Sequence, residues 1–160
     1  MQIPRPHPPF ESGTTVEVRI PSRLGFEKVA MSTAASMARL MGFSEDRVED
    51  LQTAVAEACI NAIEFGNRLN RNHTVGVVLS MTPGELEVRV IDKGEGVSRV
   101  NSHHDIDRKM RGEEDFRGMG MFLIQALVDE AEWVPRAAGQ DAYVRLAIRL
   151  DKEIQGVDGN

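Results

Sequence analysis

The sequence predicts an α+β fold, a two-layer sandwich in which helices cover one face of a mixed, mainly antiparallel sheet. Alternating apolar runs read as five strands, and three further stretches carry apolar residues at helical spacing. Their order is β-α-α-β-β, a long polar interruption, then α-β-β, which suits one sheet rather than alternating parallel units. With 160 residues the chain is long enough for one domain with a real core. Hydrophobic residues at 41% and charged residues at 28% make it too apolar for a disordered chain.

The first dozen residues, MQIPRPHPPFES, read as an extended leader, because proline removes donors and blocks helix. Residues 15–20 alternate, with Val16, Val18 and Ile20 on one face and Thr15, Glu17 and Arg19 on the other, as in a half-buried strand. Residues 22–41 carry helical spacing that Gly42 stops. Ser44 is placed to cap the next helix, with Glu45 and Asp46 in its first turn. Val48, Leu51, Val55, Ala58, Ala62, Phe65 and Leu69 step by three and four, so that helix is expected to run to about 67–69 with a core-facing seam. Two alternating runs, 73–81 and 86–92, flank Pro83-Gly84 and predict an antiparallel hairpin. A polar stretch from 97 to 117 is too long for an ordinary connection and reads as a functional lid. A helix from Gly118 to about Asp129, strands at 131–134 and 143–150, and a flexible tail over 151–160 complete the chain.

Composition narrows the function. A formal net charge of −6 argues against a surface built for nucleic acid or anionic membranes. The single cysteine, Cys59, excludes an intramolecular disulfide and a cysteine-rich zinc site, and reads as a small buried hydrophobe. No run approaches the ~20 apolar residues of a membrane span, and residues 1–10 hold four prolines where a signal peptide would be apolar. A cytoplasmic, reduced, single-domain protein is expected.

Three places break the apolar pattern. Within AVAEACINAIEF only Glu57, Asn61 and Glu64 are polar, and at ~100° per residue they share an arc of roughly 60°. That strip is either the solvated edge of a core helix or the lining of a cavity. In a cavity, Glu57 and Asn61, at i and i+4, supply a base and a hard oxygen ligand for an ion such as magnesium. Asp92 is in phase with Leu86, Val88 and Val90, so its carboxylate faces the core side, either capping a turn or accepting from a ligand amino group. Gly94 and Gly96 follow it and permit close approach of a flat ligand. Gly118-Met119-Gly120 opens a helix, where bare amides either merely end a loop or form an anion site.

Read in order, ExxxN at Glu57 and Asn61, DxGxG at Asp92, Gly94 and Gly96, and GxG at Gly118 and Gly120 resemble the N, G1 and G2 boxes of the GHKL (Bergerat-fold) ATP-binding superfamily. The phrases EACINAIEFGN and RGMGMFLIQALVDE are most similar to the small anti-sigma-factor serine kinases of bacterial partner-switching systems. The resemblance covers about residues 14–150, a histidine-kinase-like ATP-binding domain whose lid is at about 97–117. It implies ATP and Mg2+ as cofactors. It makes Glu57 the general base and Asn61 the magnesium ligand, and it lets Asp92 accept from the adenine amino group beside Gly94 and Gly96. Backbone amides from Gly118 through Met119, Gly120, Met121 and Phe122 would hold the phosphates, with a lid arginine, Arg117 or Arg111, on the γ-phosphate. Members often carry His where Phe65 stands here.

The resemblance implies an ATP-dependent protein-serine kinase and anti-sigma factor in transcription regulation. It would phosphorylate a STAS-domain anti-anti-sigma protein and sequester a sigma factor, with a homodimer as a further implication. The alternatives are a nucleotide-binding regulatory module that transfers no phosphate, and a detached histidine-kinase-type catalytic domain. For the last, His7 stands among prolines rather than on a dimerisation helix. His73, His103 and His104 lack metal-ligand spacing.

Overall fold

The computed structural model describes residues 13–93 and 115–150. Strands β1 (Thr14–Pro21), β2 (Thr74–Thr82), β3 (Glu85–Ile91), β4 (Glu130–Val134) and β5 (Tyr143–Arg149) form one sheet in the spatial order β1-β2-β3-β5-β4. Every pairing among them is antiparallel. Helices α1 (Glu27–Met41), α2 (Glu45–Asn61) and α3 (Asp115–Leu127) complete the α+β sandwich.

Strand alternation sets the register. Val77 lies opposite Val90 and Leu79 opposite Val88, and these in turn face Val144 and Leu146 of β5. All six are buried with Ile20, Val75, Leu86 and Ile148 against the helices. A slip of one residue would turn this whole set toward water. The opposite face carries charge instead: Arg145 reaches Glu87 at 2.7 Å and Glu130 at 2.9 Å, Arg149 reaches Glu85 at 2.9 Å, and Arg89 lies over the Tyr143 ring. The β2–β3 turn has Gly84 at φ +81°, the left-handed position that follows Pro83 in a type II turn.

Helix α1 begins at Glu27, five residues later than its spacing predicts. Gly25 takes φ +105°, outside helical space, and Ser22 is buried and engaged by Asn67, so residues 22–26 form a turn. Gly42 ends α1 at φ +92°, its N–H reaching Ala38 and Arg39 carbonyls, and Ser44 Oγ then accepts from Arg47 N–H at the start of α2.

Helix α2 is the spine of the core, burying Val48, Leu51, Ala54, Val55, Ala58 and Cys59. The expected seam fails beyond Ala62. Residues Ala62–Gly66 form a π turn, in which Asn67 N–H bonds to Ala62 O at 2.7 Å. The extra residue rotates the positions beyond it by about 100°. Ile63 is therefore buried, Phe65 half-buried, and Leu69 left 54% exposed. Arg68 and Leu69 adopt left-handed φ values of 51° and 57° as the chain leaves the helix.

Helix α3 starts at Asp115, three residues before the expected Gly118, so the last part of the expected lid is helical. The leader, the tail and the stretch 94–114, with Gly94, Gly96 and Arg111, lie outside the described residues. Gly120 packs on the end of α2 and Leu127 O accepts from Arg47 near its start, so α3 runs antiparallel to α2. Among the described residues no helix is long and apolar enough to cross a membrane.

Candidate functional site

Two members of the polar strip, Glu57 and Asn61, lie against α3. A Cβ added at Gly120 would stand 3.2 Å from Asn61 Nδ2, 3.4 Å from Glu57 Oε2 and 3.6 Å from Asn61 Oδ1. The absence of a side chain at Gly120 thus lets the α3 backbone lie directly over both groups. Asn61 is 6% exposed, and Glu57 and Glu64 are half-buried. Asn61 Nδ2 is buried with no hydrogen-bond partner among the described residues. Such a group costs about 1–3 kcal/mol unless something engages it, and it is the kind of exception that marks a functional position.

Asp92 lies one residue past β3, buried at 7% exposure as its phase predicts. It packs beneath the π turn: a Cβ on Gly66 would come 2.4 Å from Asp92 Cγ and 2.5 Å from Oδ2. The peptide units on both sides of Asp92 are anchored, its own N–H to Ala142 O at 3.3 Å and the next N–H, of Lys93, to Asn67 Oδ1 at 2.7 Å. Asn67, 3% exposed, also donates from Nδ2 to Ser22 Oγ at 2.7 Å and to Thr74 O at 3.1 Å.

These contacts bring Glu57 and Asn61 together with Gly120 and set Asp92 beside Gly66, about one turn further along the same helix. Gly66, Asn67 and Ser22 were missed from sequence. The Gly-Asn pair after the strip was the available signal, but by local rules it says only that a helix ends there.

Helix α3 departs from expectation in its donors. Because it begins at Asp115, the amides of Met119 to Phe122 fall within its hydrogen-bonded span, and the free first-turn donors lie at 115–117. Gly120 is buried, Met121 packs against the core, and the Phe122 side chain is 75% exposed. Only the backbone of Arg117, Gly118 and Met119 is described.

Among the described residues no three His, Cys, Asp or Glu side chains converge on a metal position. The Asn61 amide beside the Glu57 carboxylate fits instead an ion that takes most of its ligands from phosphate and water, as magnesium does. Rotation of the amide presents Oδ1 in place of the unpaired Nδ2. Cys59 is buried in the core as expected, and burial pushes its thiol up to about 12, which leaves it unreactive. A groove of about 410 Å³ lined by Glu17, Arg19, Gly76 and Lys93 is on the charged face of the sheet.

The chain is similar in sequence and in fold to known proteins. The histidine kinase-like ATPase domain family matches residues 20–148. The serine-protein kinases RsbW of Bacillus licheniformis and Bacillus subtilis strain 168 are 28% and 27% identical over 124 residues, covering 72% of this chain and 74% of each relative. That of Bacillus pumilus strain SAFR-032 is 29% identical over 133 residues, 76% of this chain and 79% of the relative. The crystal structure of the RsbU and RsbW domains of Rv1364c from Mycobacterium tuberculosis is similar in fold, with a TM-score of 0.59 at 16% identity. That match covers 86% of this chain, which spans about a third (32%) of the solved one.

Proposed function

The chain belongs to the histidine kinase-like ATPase domain family, and from that premise we propose that it is an ATP-dependent protein-serine kinase and anti-sigma factor. It phosphorylates a STAS-type anti-anti-sigma partner and sequesters a sigma factor. The observation that carries this reading is the meeting of Glu57 and Asn61 with Gly120, about one turn from the Asp92 carboxyl under Gly66. The serine-protein kinase names of its relatives support the reaction class.

Asp92 accepts a hydrogen bond from the adenine amino group beside Gly66, and Gly94 and Gly96 permit the flat base to approach. Asn61 holds Mg2+, which neutralises charge on the phosphates when bound. Glu57 takes the proton of the partner's serine hydroxyl as that oxygen bonds to the γ-phosphorus. The bond from phosphorus to the bridging oxygen breaks, and ADP leaves with that electron pair. The phosphates are held at the start of α3, where the free first-turn donors lie at 115–117 and Gly118 and Gly120 leave the backbone open to approach, with Arg117 on the γ-phosphate. A base so placed is worth about 10²–10⁴-fold in rate.

Incubation of the full chain with labelled ATP and a STAS-domain partner tests this. Wild type should yield phosphoserine. Glu57→Ala should bind ATP yet label about 10²–10⁴-fold more slowly. Undiminished labelling by Glu57→Ala would remove the base assignment. Binding of ATP and a sigma factor without any labelling by wild type would favour the regulatory module.

A further inference from the structure

We propose that Asn67 is a positioning residue for base selection: together with Gly66 it holds the Asp92 carboxylate in the one orientation that accepts an adenine and rejects a guanine. This rests on the ATP-binding reading above and goes beyond it in naming what makes the pocket selective.

Asn67 has a fully used amide. Oδ1 accepts from Lys93 N–H, and the two protons of Nδ2 go to Ser22 Oγ and Thr74 O. The opposite assignment would set the amide donors against the Lys93 N–H and the amide oxygen against the Thr74 carbonyl, so the network permits only one orientation. Its partners come from the β1–α1 turn, the first residue of β2 and the residue after Asp92, which ties the end of α2 to all three.

The consequence falls on Asp92. Lys93 N belongs to the peptide plane that follows the Asp92 Cα, and Asp92 N to the plane that precedes it. With the first bound to Asn67 and the second to Ala142 O, both backbone dihedrals of Asp92 are held. Only the side-chain torsions remain, and Gly66 limits those, since even a methyl there would lie within 3 Å of the Asp92 Cβ, Cγ and Oδ2. The carboxylate is therefore a fixed acceptor. At the six position of a purine, adenine offers a donor and guanine an acceptor. A fixed carboxylate pairs with the first and repels the second, whereas one free to swing away relieves that repulsion and discriminates less.

Calorimetry of Mg-ATP and Mg-GTP binding to the full chain tests the assignment, with thermal melts to establish that each variant is folded. Wild type should prefer ATP. Asn67→Ala should narrow the ATP-to-GTP affinity ratio by about tenfold to a hundredfold, the equivalent of one misplaced polar contact. Gly66→Ala leaves every bond of the clamp in place but displaces the carboxylate, so it should narrow the ratio similarly. Ser22→Ala removes one clamp bond remote from Lys93 and should lower the melting temperature while keeping the ratio within about threefold. A merely structural Asn67 would lower the melting temperature and leave the ratio at its wild-type value, and that result overturns the proposal. If Asn67→Ala does not fold, Gly66→Ala decides: a wild-type ratio overturns, a narrowed ratio supports. Wild type binding the two nucleotides equally overturns this inference alone, and wild type binding neither overturns the nucleotide reading as well. A clear wild-type preference that survives both substitutions removes this inference alone.

Discussion

Replacing Gly120 with alanine should raise stability while lowering activity, because the two properties depend on different neighbours of that residue. Gly120 lies inside α3, where alanine gains up to about 1 kcal/mol from helix propensity. The added methyl would meet Asn61 Nδ2 at 3.2 Å, a few tenths of an ångström too close. That nitrogen has no hydrogen bond among the described residues, so its retreat is cheap. A net gain of about 0.5 kcal/mol remains. With an unfolding entropy of about 2.1 cal/mol/K per residue, a chain of 160 residues has about 0.34 kcal/mol/K, so the melting temperature should rise by about 1–2 °C. The same methyl also stands 3.4 Å from Glu57 Oε2, on the ground assigned to the phosphates. Misplacement there should cost about tenfold to a hundredfold in phosphotransfer. Scanning calorimetry of the free protein and labelled-ATP transfer to a STAS-domain partner read the two effects separately. A melting temperature lowered by several degrees with transfer intact would mean that Gly120 serves helix packing, and the proposed site would lose its phosphate end.

Asn61→Ala should leave the melting temperature within about 2 °C of wild type, since it removes an amide whose Nδ2 has no hydrogen bond among the described residues, yet weaken Mg-ATP binding about tenfold or more by calorimetry. Arg47→Ala removes the bond to Leu127 O at 3.2 Å and the pair with Asp129 at 2.7 Å, which lock the start of α2 to the end of α3. It should cost about 1–2 kcal/mol, or about 3–6 °C in a thermal melt. ATP affinity should be unchanged, because Arg47 lies about 21 Å along the helix from Asn61. Glu87 gives a pH signature: burial pushes its carboxyl up, but hydrogen bonds from Arg145 and Arg89 outweigh that and hold it below the ordinary 4.5. Its contribution is therefore complete above pH 4.5 and is lost as the pH falls below that through the lowered value. Melts from pH 7 to pH 3 should show a shallower acid loss in Glu87→Gln than in wild type, and parallel curves would discount the network.

Features governed by near neighbours in the chain were legible in advance. The Gly42 stop, the Ser44 cap, the Pro83-Gly84 hairpin and the seam as far as Ala62 each depend on residues a few positions apart. So did the inward phase of Asp92 and the pairing of Glu57 with Asn61. Past Ala62 the periodicity misleads, because one extra residue in the π turn exchanges Ile63 for Phe65 and turns Leu69 outward. The late start of α1 depends on Ser22 being drawn to Asn67, 45 residues away, and the anchoring of Lys93 spans 26. No local pattern encodes such distances.

From the sequence alone come the identities and order of the elements and the kinds of group they carry: a carboxylate and an amide four apart, an inward aspartate, and glycines near the start of a late helix. Their meeting was decided only in three dimensions. The order β1-β2-β3-β5-β4 and the antiparallel course of α3 against α2 bring Gly120 onto Glu57 and Asn61, while the π turn lowers Gly66 onto Asp92. The physical reason is range. Propensity and periodicity act within a turn or a strand, whereas the approach of two distant backbones depends on which apolar faces must be buried against each other, a condition satisfied by the whole chain at once.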